Sequence, residues 1–283
     1  MVETNRRTKL RTKLRSSLSL AAALGVRRGD VVCFVGGGGK TSTMFRLARE
    51  LAAQGASVLC STTTKMAAED ARHAQIHVRS GQDVPRAFSR SRQVFLTGKT
   101  VDGKLLGIRG ENLCALRSSA SHVLVEADGS RGLPFKAPGT HEPVIPACTT
   151  LVVPVVGVDA VGLPVAEGFV HRPQCIQALH PGPVVTPETV AAVLSHALGG
   201  RKHEPAAARV VPLINKVDSD ERRRIANRIA ELLLARTFDH AFDRAFDRVV
   251  CGCAIGEAPW QIIRPDEPRG AAPRSGGNSD VSA

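Results

Sequence analysis

Val31-Val-Cys-Phe-Val-Gly36-Gly-Gly-Gly-Lys40-Thr41-Ser42 decides the fold of this chain. An unbroken apolar run, Val31 to Val35, leads straight into four glycines, a lysine and two hydroxyl residues. A strand without polar alternation is covered on both faces. The next segment repeats apolar residues at helical spacing, with Met44, Leu47, Ala48 and Leu51 on one face and Gly55 as its stop signal. The glycines therefore sit where a strand turns into a helix. Residues without Cβ let backbone N–H groups close on an anion, and a helix start adds free N–H groups and its dipole. In this reading Gly36, Gly37, Gly38 and Gly39 cradle phosphates, and Lys40 brings a point charge to the β- and γ-phosphates. Thr41 carries Mg²⁺, with Ser42 beside it.

The loop departs from the longer G-x-x-x-x-G-K-[ST] pattern, because Phe34 stands where its first glycine would be. Its shorter G-x-x-G-K-T spacing resembles the ATP loop of the Mur ligases. Outward from the loop, strand-length apolar runs recur at Val58–Cys60, Gln93–Leu96, His122–Glu126, Leu151–Val156, Val210–Ile214 and Arg248–Cys251. Helical patterns lie between them, including Pro187–Leu198 behind the cap Thr186 and Asp218–Leu234 capped by Ser219 or Asp220. Such alternation predicts an α/β fold, a three-layer, mostly parallel sheet of P-loop NTPase type. Leu18–Leu24 reads as a short helix on the domain edge rather than a signal-peptide core. The expected organisation is a flexible basic extension over 1–15, a nucleotide-binding domain over 16–255 and a disordered tail over 256–283. Phe238, Phe242 and Phe246, four residues apart, predict a packing stripe on one helix face.

Composition narrows the function classes. The 283 residues carry 38 Lys+Arg against 26 Asp+Glu, a net charge of +12, of which residues 1–15 hold +5. The basic signal thus belongs mainly to a tail. With 4% aromatic residues and no Tyr, the chain lacks stacking platforms for single-stranded nucleic acid. No apolar run reaches the length of a membrane span. Neither a nucleic acid nor a membrane is expected as partner. The seven cysteines show no C-x-x-C pair and no zinc spacing. Cys33 and Cys60 read as buried small hydrophobes, and Cys251 and Cys253 as incidental thiols at a strand end. A reducing cytoplasm suits this scattered set.

Four further groups carry chemistry. Glu126 and Asp128 close the strand His122–Glu126, at the sheet edge where open α/β folds bind ligands. Acids there hold Mg²⁺ or orient a water for attack on the γ-phosphate. Asn215-Lys216-Val217-Asp218 follows another strand and resembles the guanine-reading N-K-x-D of GTP-binding proteins. Their D-x-x-G element is missing: Asp128 is followed three residues later by Arg131. Ser61-Thr-Thr-Thr-Lys65 is either a loop held by its own side-chain bonds or a phosphate and Mg²⁺ contact. Arg131, Lys136, His141 and Glu142, with His171 and Arg172, are candidates for a second substrate or partner.

These segments together are similar to the YqeC-type family of selenium-dependent hydroxylase accessory proteins. The likeness runs through V-C-F-V-G-G-G-G-K-T, S-T-T-T-K-M, V-E-A-D-G-S-R-G-L-P-F-K-A-P, H-E-P-V-I-P, V-V-G-V-D-A-V-G, V-H-R-P and I-N-K-V-D, over about residues 17–220. The resemblance implies an accessory protein in the maturation of molybdenum-dependent hydroxylases, whose partners are such an enzyme or its cofactor-maturation proteins. The expected activity is Mg²⁺-dependent hydrolysis or transfer of the γ-phosphate of ATP or GTP. Thr41 and Asp128 hold the metal in this reading, and Glu126 orients water or acts as general base. The alternative is a non-catalytic scaffold in which nucleotide gates docking of a molybdenum cofactor or apo-hydroxylase.

Overall fold

The computed structural model describes residues 10–12, 18–235, 246–256 and 258–265. The apolar runs become strands because β-branched and aromatic side chains pack well on a pleated surface. In chain order the strands open with Leu10–Thr12 (β1), Val31–Gly36 (β2), Val58–Thr62 (β3), Met66–Ala67 (β4) and Ile76–Val78 (β5). Gln93–Leu96 (β6), Thr100–Val101 (β7), Lys104–Leu105 (β8), His122–Glu126 (β9) and Leu151–Gly157 (β10) follow. The last are Arg209–Val210 (β11), Leu213–Asn215 (β12), Val249–Cys251 (β13) and Gln261–Pro265 (β14).

One eleven-stranded sheet has the order β1-β14-β13-β12-β10-β2-β9-β3-β6-β5, with β11 also on β10. Pairings from β13 through β5 are parallel, and β14 runs antiparallel to β13 and β1. β4, β7 and β8 form a small separate antiparallel sheet. The glycine-bearing strand β2 is central. From β2 the chain crosses to β3, returns to β9 beside β2, and then passes to β10 on the other side. Winding changes direction at β2, and that is where the carboxyl ends of an open α/β sheet leave room for a ligand.

Alternate residues of β2 serve opposite layers. Val32 and Phe34 pack with Leu20–Leu24 (α1) and Lys40–Ala53 (α2), where Phe45 meets Phe95 edge-on at 5.3 Å. Val31, Cys33 and Val35 face the other way, towards Val84–Phe88 (α3) and Gly110–Ala115 (α4). Further along that second face, Val156, Ile214 and Val249 pack with Pro173–Leu179 (α5), Pro187–Ser195 (α6) and Asp220–Leu234 (α7). Thr186 and Ser219 cap α6 and α7, each accepting from a first-turn amide. The architecture is the expected three-layer α/β sandwich around a mostly parallel sheet.

Several details differ from the sequence reading. The domain does not stop at 255: Trp260 is buried, and β14 adds to the sheet with Cys251 opposite Gln261. The basic extension supplies a strand, with Leu10 opposite Pro265 and Thr12 opposite Ile263. Both strands are short and lie at one end of the sheet, β1 at its edge and β14 between β1 and β13. The Val210–Ile214 run is interrupted, since Pro212 lies between β11 and β12 and lacks an N–H for the ladder. Cys114 and Cys148 form a disulfide, against the expectation of scattered thiols. Their separation of 34 residues hides a pairing that only the packing of α4 against the approach to β10 creates. Phe238 and Phe242 lie outside the described residues, and Phe246 is buried beneath the Arg201 guanidinium at 5.1 Å.

Candidate phosphate and metal site

Two of the four glycines show why the loop tolerates nothing else. At Gly36, with φ 95°, a Cβ would collide with the Val155 carbonyl; at Gly38, with φ 76°, it would strike the backbone of Gly157. This close seating against β10 also turns amides inward. The Gly36 N–H donates to both oxygens of Asp128 at 3.1 Å, the Gly37 N–H to the Val155 carbonyl at 3.0 Å, and the Gly38 N–H to the Leu133 carbonyl at 3.1 Å. The expectation that amides 36–39 all face a ligand is therefore corrected for the first three. Gly39 caps α2, and Lys40, Thr41 and Ser42 occupy its first turn, where N–H groups have no intrahelical acceptor. Thr43 is the first to bond back, to the Gly39 carbonyl at 3.0 Å. An anion at this helix start meets amides and the positive end of the dipole together.

Lys40 is 3% exposed and folds under the loop. Its Nζ lies 2.6 Å from the Gly36 carbonyl, 3.3 Å from Asp128 Oδ1 and 3.7 Å from Glu126 Oε1. The Thr41 hydroxyl donates to Glu126 Oε2 at 2.7 Å. Glu126, rather than Asp128, thus faces the hydroxyl expected to carry Mg²⁺. Burial pushes the Glu126 carboxyl above the usual range; Lys40 and Thr41 oppose that shift, while Asp128 and Asp70 add to it. A hydroxyl and one carboxylate are hard oxygen donors. Among the described residues no group of three His, Cys, Asp or Glu forms a metal cage. Such a sparse set fits Mg²⁺, which keeps waters and completes its shell with phosphate oxygens. Counted from Glu126, the spacing acid-x-x-glycine ends on Gly129, a signal missed by starting from Asp128.

The threonine cluster at the end of β3 holds this acid in place. Thr62 Oγ1 and the Thr63 amide both donate to the Glu126 carbonyl at 3.0 Å, and Thr63 Oγ1 reaches the Val144 carbonyl at 2.7 Å. Lys65 is exposed beyond them.

Behind the loop runs a chain of charges. Asp128 Oδ2 meets Lys136 Nζ at 3.1 Å, Lys136 meets Glu142 Oε2 at 2.6 Å, and Glu142 Oε1 meets Arg172 at 2.9 Å. Lys136 is buried, so it is no surface contact for a second substrate, contrary to the sequence reading. Burial works to raise the Glu142 carboxyl, but the bond and charge of Lys136 with the charge of Arg172 outweigh it and hold it low. His171 lies alongside, its backbone N–H donating to the Phe135 carbonyl at 2.9 Å; burial, Lys136 and Arg172 lower its pKa. Arg131 and His141 are exposed, Arg131 in the left-handed region with φ 52°.

The N-K-x-D segment touches the loop from the other side. Buried Asn215 donates from Nδ2 to the Gly38 carbonyl at 2.8 Å and accepts the Ala254 N–H at 2.9 Å. It thereby ties the glycine loop to the turn after β13. Lys216, with φ 64°, pairs through Nζ with Asp159 at 2.7 Å. Exposed Asp218 receives two bonds at 2.9 Å from Arg222. Asp159 and Ala254 were not singled out in the sequence, although both follow strands at the same carboxyl edge.

A family model described as YqeC protein matches residues 32–174. The YqeC protein of Escherichia coli (strain K12) is 36% identical over 202 residues, spanning 69% of this chain and 79% of that protein. Among solved structures, the apo crystal structure of PAB0955, a GTPase from Pyrococcus abyssi, aligns with a TM-score of 0.36 at 13% identity. The alignment covers 80% of this chain and 91% of that one. The crystal structure of FtsY from Mycoplasma mycoides aligns with a TM-score of 0.29 at 11% identity, over 73% and 50% of the two chains. Among the described residues, no helix is long and apolar enough to cross a membrane.

Proposed function

The chain belongs to the YqeC family, and on that premise we propose that it binds a nucleoside triphosphate with Mg²⁺ and acts on its γ-phosphate. The observation that carries the reading is the meeting, at the carboxyl ends of β2 and β9, of free helix-start amides, Lys40 and the Thr41–Glu126 pair. Phosphate binds the amides of Gly39 to Ser42, and Lys40 exchanges its Gly36 carbonyl and acidic neighbours for phosphate oxygens. Thr41 and Glu126 hold the metal, which neutralises charge on the β- and γ-phosphate oxygens. Asp128 stays behind as anchor of Gly36 and Lys40. This arrangement moves the metal role from Asp128 to Glu126 and leaves Asp128 an anchor.

For the base, the bridge from Asn215 to Gly38 ties the N-K-x-D segment to the glycine loop and supports guanine. A carboxylate at Asp218 accepts from guanine N1 and N2, donors that adenine lacks. For the pathway, we propose a cytoplasmic accessory protein in maturation of a molybdenum-dependent hydroxylase, rather than the hydroxylase itself, a reading supported by the motif resemblance. Comparing phosphate release with Mg²⁺ for wild type and Lys40→Ala tests the reaction. Equal background rates for both, with tight nucleotide binding retained by wild type, leave the scaffold reading in its place. Hydroxylase activity in cells lacking this chain, restored by wild type but not by Lys40→Ala, tests the pathway.

A further inference from the structure

The network behind the phosphate loop contains a second buried lysine that the proposed reaction does not use. The Lys136 side chain has no exposure; its ammonium donates to Glu142 Oε2 at 2.6 Å and to the Gly129 carbonyl at 2.7 Å, and it forms an ion pair with Asp128 Oδ2 at 3.1 Å. Desolvating such a charge costs several kcal/mol, and well-packed apolar residues of similar volume often stabilise a buried site as well or better. Packing therefore does not call for a lysine here. What the charge supplies is position. Asp128 is gripped by Lys40 on Oδ1 and Lys136 on Oδ2, and the Gly36 N–H bridges both oxygens. Of the two lysines, Lys40 is the one whose task takes it away.

We propose that Lys136 is a positioning residue: it holds the Asp128 carboxylate aimed at the Gly36 amide, so that the phosphate loop keeps its shape when Lys40 turns to a phosphate. Glu142 supplies the countercharge that seats Lys136, and Arg172 occupies the other oxygen of Glu142. The role during binding rests on the nucleotide reading; the grip on Gly36 does not.

Two readouts test it. In the nucleotide-free protein, Lys136→Met is expected to speed hydrogen exchange at the Gly36 amide by about tenfold or more, the scale of losing a hydrogen bond to a charged group. Amides of β3 and β6 report global opening in the same experiment. The double variant Lys136→Met/Glu142→Gln removes both charges, and is expected to restore β3 and β6 protection while Gly36 still exchanges fast. Both variants are expected to bind Mg²⁺–GTP at least about tenfold more weakly than wild type. Gly36 exchange in the double variant equal to wild type overturns the proposal, as does a Gly36 effect no larger than that at β3 and β6. Wild-type nucleotide affinity in the double variant does so as well. Should wild type bind no nucleotide, the reading under Proposed function falls, and the exchange result still decides the role of Lys136.

Discussion

The Thr41 hydroxyl donates to Glu126 Oε2 at 2.7 Å, joining the first turn of α2 to the last residue of β9. A hydroxyl that spends its proton on a carboxylate keeps its lone pairs, and both groups would offer oxygen donors to a hard cation. Thr41→Ala and Glu126→Gln are each expected to remove most of the Mg²⁺-dependent gain in nucleotide affinity, about tenfold or more. Affinity without Mg²⁺ changes little. Titrations with and without the metal check this.

The raised Glu126 carboxyl gives the metal step a pH signature. Ligation needs the carboxylate, so Mg²⁺-linked affinity is expected to fall on acidification from a higher pH than an ordinary glutamate would set. Stability runs the opposite way. A folded pKa above the unfolded one favours the protonated form, so its contribution is present below the unfolded pKa and lost as pH rises through the folded one. Glu126→Gln should flatten both profiles. Thermal unfolding and metal-linked binding across mildly acidic to neutral pH measure the pair.

Gly38→Ala should cost about 1–3 kcal/mol, the usual scale for an L-residue forced into the left-handed region, plus the clash with Gly157. Gly55→Ala is the control, since its φ is also positive at 85° but its missing Cβ faces open space. Denaturant unfolding should rank Gly38→Ala clearly below Gly55→Ala, with nucleotide affinity lost only in the former.

Asp218→Ala should erase a preference for GTP over ATP while leaving stability near that of wild type. Its carboxylate is exposed and bonded to Arg222 alone among the described residues, and such surface pairs contribute about 0–1 kcal/mol. Competition between the two nucleotides provides the readout, and an unchanged preference removes Asp218 from the base site.

Local chemistry made much of this site readable. Strand, glycine turn, lysine and helix are contiguous from Val31 to Ala53, and the expected strand, turn and helix form there. Roles that depend on distance were not readable. Nothing around Lys136 marks it as buried, because its partners stand at 128, 142 and, one step further, 172. The order of Glu126 and Asp128 along the chain likewise conceals which one meets Thr41; strand register decides it, setting Glu126 opposite Phe34. Trp260 and the strand behind it looked like tail, since their burial comes from a sheet edge that forms only after the long-range pairings.

The central claim is that the start of α2 is a phosphate site served by Lys40. Calorimetric titration of Mg²⁺–GTP and Mg²⁺–ATP into wild type and Lys40→Ala tests it most directly. Lys40→Ala also strands the buried Glu126 and Asp128 carboxylates without their partner, so folding of the variant is checked by circular dichroism in the same samples. The expected result is saturable one-to-one binding of at least one nucleotide by wild type, weakened about a hundredfold or more in a folded Lys40→Ala, in line with removal of a charge-assisted contact worth about 3 kcal/mol. Equal affinity in the two proteins, or no binding by wild type at all, would contradict it.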